Sequence, residues 1–317
     1  MADLPLLRRF PRLAVLPRAA LGSFPTAVER IALDDGRVLL LKRDDRCGTV
    51  IGGNKVRGLE WLLGGVRSGD EVLTVGARGS THALSTAVLT SQLGAQATVV
   101  RWNQEMNPAA RIVDGRLRRA ARVIDARFVA AAYLVAVSLR LRRRVTWVPA
   151  GGAAPLGVLG HVNAALELAD QIERNESELP EEVYVPLGTG GTAAGLALGF
   201  RIAGLGMRIV GVRVVPGIVA RRSRVLGLAH RAARLIEQTT AARVPRVSRS
   251  DVAIEHGFYG GAYGRPLGEV REETDVLRAT DVRLDDTYSR KAFAAALRSR
   301  ARRAMLWVTF DGRLLQD

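Results

Sequence analysis

Glu182-Val-Tyr-Val-Pro-Leu-Gly-Thr-Gly-Gly-Thr-Ala-Ala-Gly195 reads as a strand over residues 182–186, a glycine loop over 188–192, and a helix of small residues over 193–202. Glycines at a helix start let several backbone N–H groups point at one anion, where the helix dipole also favours negative charge. The loop contains G-x-G, but no acidic residue follows at dinucleotide spacing and no Gly-Lys-Ser/Thr follows as in a P-loop. A single compact phosphate fits these residues better than a dinucleotide or triphosphate. A tight turn with no ligand would use the same glycines.

Working outward, residues 209–215 give the next strand, so β and α segments alternate. Upstream, a strand-like run over 38–41 leads into the charged turn Lys42-Arg43-Asp44-Asp45 and then Gly52-Gly53-Asn54-Lys55. Val56, Leu59, Leu62, Leu63 and Val66 recur at spacings of three and four, which predicts a helix over 55–66 beginning at Lys55. A strand over 71–75, a loop over 76–80, a helix over 82–93 and a strand over 97–101 repeat the parallel α/β unit. Residues 109–144 are arginine-rich and of helical propensity, with no nameable motif. A short strand at 146–148 precedes Gly151-Gly152, and a helix is expected over 158–173. With no internal repeat or long linker, the pattern implies two interleaved α/β lobes.

The 317 residues are 48% hydrophobic and 25% charged, enough for two domains of ordinary size. Cys47 is the only cysteine, which excludes an intrachain disulfide and a Cys-rich metal site and points to a reducing compartment. The amino terminus interrupts its apolar residues with arginine and proline, unlike a secretory signal. The longest apolar run, 129–137, is far short of the roughly 20 residues that cross a bilayer. A cytoplasmic protein without membrane or nucleic-acid partners is expected. The formal charge of +16 does not alter that, because the arginines are spread along the chain and aromatic residues, the platforms for base stacking, are only 5%.

Of 47 basic residues only Lys42, Lys55 and Lys291 are lysines. A guanidinium forms no Schiff base, so a lysine kept in such a chain hints that an amine is wanted. Lys55, after a glycine turn at a helix start, has the setting that lowers an amine's pKa through desolvation and the helix dipole. A solvated first-turn lysine is the alternative.

The order KRDD, GGNKVR, a loop with Ser80 and His82, and then GTGGT resembles the D-cysteine desulfhydrase and 1-aminocyclopropane-1-carboxylate (ACC) deaminase family. This is the tryptophan-synthase-β-like branch of the pyridoxal-phosphate (PLP) enzymes. Residues 149–167, Tyr263-Gly-Arg-Pro266 and residues 284–292 match further family segments, leaving 103–145 as the weak part. The resemblance implies fold type II: two three-layer α/β domains with twisted, mostly parallel sheets and the cofactor cleft between them. The large domain would comprise 1–50 and 157–317, the small domain 51–156.

The resemblance also implies roles. Lys55 would carry PLP as a Schiff base. Asn54, Thr81, Gly188, Thr189, Gly190, Gly191, Thr192 and Ser289 would bind the cofactor, with the glycine loop on its phosphate and Ser289 facing the pyridine nitrogen. Ser80 and Tyr288 would move protons with Lys55, and Ser80, His82 and Tyr263 would meet a small amino-acid substrate. No metal is expected, since His161, His230 and His256 lie in no ligand spacing. Asp44 and Asp45 read as a solvated pair with no acid–base role.

A hydroxyl at Ser289, where ACC deaminases carry glutamate, leans toward desulfhydrase chemistry: β-elimination to a 2-oxo acid, ammonia and sulfide. Thr81, Gly79 and Phe310 depart from the family pattern, which leaves an ACC deaminase, or a PLP-fold protein with altered or lost catalysis, as alternatives. Relatives imply a homodimer.

Overall fold

The computed structural model describes residues 4–268, 276–278 and 280–316. In chain order the strands are β1 (Val28–Ala32), β2 (Val38–Lys42), β3 (Glu71–Ala77), β4 (Gln96–Trp102), β5 (Arg122–Ala126), β6 (Thr146–Val148), β7 (Glu182–Leu187), β8 (Arg208–Arg213), β9 (Val252–Glu255) and β10 (Arg303–Trp307). The helices are α1 (Pro5–Arg9), α2 (Lys55–Leu62), α3 (Thr81–Gln92), α4 (Pro108–Ala120), α5 (Val129–Arg142), α6 (Pro155–Glu173), α7 (Gly191–Ala203), α8 (Arg222–Thr240) and α9 (Ser289–Leu297). Among the described residues no helix is long and apolar enough to cross a membrane.

Alternation along the strands sorts side chains into separate cores. The six-stranded sheet runs β1-β2-β10-β7-β8-β9, parallel except for the β1–β2 pair. Leu40, Val183, Val185, Ile209 and Met305 face the core built by α6, α7 and α8. Their neighbours Leu39, Leu41, Tyr184, Val210 and Leu306 face Phe293 and Ala296 of α9. The all-parallel four-stranded sheet runs β5-β4-β3-β6. Val72 and Val99 pack on Leu59, Leu84 and Leu117 of α2, α3 and α4, whereas Leu73, Val75 and Val100 pack on Ala132 and Ala136 of α5. Each sheet is therefore the middle of three layers, as the fold reading expected.

Most expected elements are present with ends shifted by a few residues. The larger difference lies in 109–144, read as helical throughout, where β5 separates α4 from α5 and adds a strand to the small sheet. Its sequence Arg-Val-Ile-Asp-Ala mixes two charged residues with three apolar ones, as suits a strand at the sheet's edge.

The position of α2 follows from small residues. It crosses α6 so closely that a Cβ on Gly160 would lie 1.9 Å from the Arg57 carbonyl, and one on Gly58 2.9 Å from the Gly157 carbonyl. Any side chain there would push α2, and Lys55 at its start, off the large domain's helices.

Candidate active site

The turn that delivers Lys55 is held by its backbone. Gly53 N donates to the Asp44 carbonyl (2.8 Å), Asn54 N to the Thr309 carbonyl (3.2 Å), and Gly52 N to the Asp311 carboxylate (2.7 Å). Gly53 has φ +96°, and a Cβ there would meet the Thr309 carbonyl at 2.6 Å, so only glycine suits the position. The carboxy-terminal strip around Thr309 thus braces the turn from another part of the chain.

One residue on, the Asn54 amide donates to Thr192 Oγ1 at 2.7 Å, tying the start of α2 to the start of α7. A cavity of about 580 Å³ opens beside this link. Its walls include Asn54 and Lys55 from α2's start, Ser80, Thr81 and His82 from α3's start, Gly188 and Thr189 from the glycine loop, and Tyr263 and Tyr288. Gly190, Gly191, Thr192 and Ser289 stand behind these residues rather than in the cavity wall. Gly190 takes the left-handed conformation (φ +91°) that turns the loop into α7. Ser289 is buried, with Oγ 3.3 Å from Thr309 Oγ1, and Thr309 lines the cavity.

Burial lowers the Lys55 amine to about 8. Its remaining accessible surface faces the cavity, and among the described residues Nζ has no hydrogen-bond or ion-pair partner. Burial, reinforced by Lys55, lowers His82 to about 3, so it stays neutral, with Nε2 3.4 Å from Thr74 Oγ1. Across the cavity the Tyr263 and Tyr288 hydroxyls are hydrogen-bonded to each other, their rings 6.0 Å apart and nearly perpendicular. Burial raises Tyr263 to about 12 and Tyr288 well above its ordinary value, so both keep their protons at neutral pH. The Asp285 carboxylate accepts the backbone N–H groups of Thr287, Tyr288 and Ser289 at 2.9–3.0 Å, fixing Tyr288 at the start of α9.

The family-model description "Pyridoxal-phosphate dependent enzyme" matches residues 21–305. The chain belongs to that family of PLP-dependent enzymes. Nocardicin C-9' epimerase of Nocardia uniformis subsp. tsuyamanensis is 34% identical over 89% of this chain and 88% of its own. D-cysteine desulfhydrase of Salmonella newport is 29% identical over 92% and 89%. The crystal structure of an ACC deaminase homologue superposes with a TM-score of 0.80 at 29% identity, covering 97% of this chain and 94% of that one. Fold type II follows from these likenesses.

The residues present fit PLP. The N–H groups of Gly188, Thr189 and Gly190 donate to no acceptor among the described residues, and α7 adds the free N–H groups of its first turn. These are donors for one phosphate, with an unpaired amine on the facing wall.

Several expectations need correcting or extending. Asp44 and Asp45 are not solvated: both are buried. Asp44 accepts from Arg57 Nη2 (2.7 Å), Arg57 Nε (2.8 Å) and Trp307 Nε1 (2.6 Å), and Asp45 pairs with Arg43 at 2.7 Å. Adjacency in a charged turn had suggested solvent, but the chain folds helix α6 and strand β10 over it. Lys42 likewise serves structure, with Nζ on Glu167 (2.6 Å), Gln171 (2.6 Å) and the Thr26 carbonyl (2.7 Å). The sequence reading also passed over His161, whose Nε2 lies 3.5 Å from Thr192 Oγ1 behind the glycine loop. Metal-ligand spacing was the wrong test for it, and a lone histidine on a helix carries no other sequence signal. Tyr133 of the cavity wall, from the stretch without motifs, and Trp102, at the end of β4 just before it, went unseen as well.

Proposed function

We propose that the chain is a PLP-dependent lyase that eliminates a Cβ leaving group from a small amino acid in the manner of D-cysteine desulfhydrase. With D-cysteine and water the products are pyruvate, ammonia and hydrogen sulfide. The observation that carries this reading is the unpaired Lys55 amine facing, across one cavity, a loop of free N–H donors and a pair of protonated tyrosines.

The bound cofactor supplies an electron sink for negative charge at the substrate Cα. Lys55 would attach it, and once the substrate's amino group has taken that place the freed amine, lowered to about 8, would take the Cα proton. Gly188, Thr189 and the first turn of α7 hold the phosphate. Asn54 fixes the distance between amine and loop through Thr192. Ser80 caps α3 by accepting from Ala83 N at 3.3 Å, and with Thr81 offers hydroxyls to the substrate carboxylate at that helix start. The Tyr288 hydroxyl, protonated and paired with Tyr263, gives a proton to the departing sulfur. Ser289, buried beside Thr309, would set a neutral hydroxyl rather than a carboxylate on the pyridine-nitrogen side, which leans toward elimination at Cβ over ring opening of ACC.

A visible cofactor band in the purified protein, lost in Lys55→Ala, tests the attachment. Sulfide and pyruvate from D-cysteine test the reaction; 2-oxobutanoate from ACC without sulfide from D-cysteine would transfer the chain to the deaminases.

We assign residues 51–156 to the small domain and 1–50 with 157–317 to the large one, a division supported by the small sheet's strands all lying between 71 and 148. A cytoplasmic homodimer completes the proposal. The buried free thiol of Cys47 suits a reducing compartment, and sedimentation equilibrium checks the dimer.

A further inference from the structure

The cavity that would take cofactor and substrate together carries an apolar wall for which a side chain of one CH₂ and one sulfur has no use. Its apolar lining comprises Trp102, Val129, Tyr133, Val215, Val219 and Phe310, with Val215 beside the glycine loop. Trp102 and Tyr133 stack, ring centroids 6.3 Å apart and 25° from parallel, so they present one continuous aromatic wall. Phe310 is buried in the small domain's core and stands where the resemblance led to a small hydroxyl residue. The apolar wall also reaches the surface: Val129 and Tyr133 are cavity residues and are 47% and 40% exposed, and Phe128 and Leu134 beside them are 57% and 71% exposed. Apolar surface open at a cavity mouth marks a place where an apolar group is bound.

We propose that the substrate carries a bulky apolar group, of aryl size, on its Cβ heteroatom: an S-aryl or S-alkyl cysteine rather than the free thiol. This rests on the elimination reading above. The Cβ–S bond breaks, the sulfur leaves with the bonding pair and takes a proton, the Cα proton goes to Lys55, and water completes the balance: S-phenylcysteine and water give pyruvate, ammonia and thiophenol. The departing arylthiol lies along the Trp102–Tyr133 wall and leaves past α5.

The test compares S-phenylcysteine with cysteine of the same chirality on the holoenzyme, reading pyruvate together with thiophenol or sulfide. In parallel, calorimetry compares the binding of phenylalanine and alanine. The expected result is kcat/KM at least about tenfold higher for the S-phenyl compound, with phenylalanine binding about tenfold more tightly than alanine. Tyr133→Ala, at a position exposed enough to tolerate truncation, should lower the S-phenyl to cysteine ratio about tenfold. Equal or better use of cysteine, with phenylalanine and alanine bound alike, overturns the inference and leaves the elimination standing. Tighter phenylalanine binding without pyruvate from either compound supports the inference and overturns the elimination.

Discussion

Lys42 and Lys55 stand thirteen residues apart in one sequence block and do opposite work. The Lys42 amine is saturated by Glu167, Gln171 and a backbone carbonyl in an ion network closed by Asp44, Arg57 and Trp307. The Lys55 amine has no such partner among the described residues and faces a cavity. Lys42 is fully buried and Lys55 partly so, and desolvation lowers both amines, so burial alone does not make a lysine reactive. At Lys42 the Glu167 carboxylate works against that shift and the amine is held in three hydrogen bonds; at Lys55 no carboxylate opposes it, and the amine, lowered to about 8, is left with a neutral fraction able to react.

The strongest way to break this comparison is Lys55→Ala. It should abolish the visible cofactor band and lower turnover by about a thousandfold or more, with the melting temperature of the cofactor-free protein nearly unchanged. A variant that kept its band would place the attachment elsewhere.

On the other side, Glu167→Gln leaves Arg57 and Lys42 with an uncompensated buried charge. It should cost about 3–5 kcal/mol in denaturant unfolding. The same network sets an acid limit. Burial raises the Glu167 carboxyl, but Arg57 and Lys42 outweigh it and hold it near 2, below its ordinary 4.5. A depressed carboxyl contributes stability that is complete above about 4.5 and is lost as pH falls toward 2, and acid unfolding of wild type against Glu167→Gln should differ over that window.

Asn54→Ala removes the link between the two helix starts and should cost about 1 kcal/mol of stability. Its sharper readout is weaker retention of PLP on dialysis. Smallest is the pH effect on cofactor attachment. The neutral Lys55 amine is the nucleophile, so reattachment to the apo-protein should quicken as pH rises and level off near 8; a profile levelling only above 10 would mean a solvated lysine.

Much of this was legible in the chain because its signals are local. A glycine that needs positive φ, a strand that alternates, and a helix that starts after a glycine turn can each be read from a few neighbours, which is why most strands of both sheets and the start of α2 at Lys55 came through. β5 was missed because a five-residue edge strand with charges among its three apolar residues carries too little pattern to stand out from the helices around it.

Thus the α/β class was readable from the sequence alone, and the glycine loop and Lys55 stood out there as candidates, since backbone conformation and side-chain chemistry are properties of short segments. Only the tertiary structure separated Lys42 from Lys55, buried Asp44, set His161 behind the loop and brought Trp102, Tyr133 and Phe310 to the lining of one cavity. Those facts depend on which partners lie within a few ångströms, and residues 102, 133 and 310 come to line one cavity only when the small sheet, α5 and the chain's last strip close around the same space.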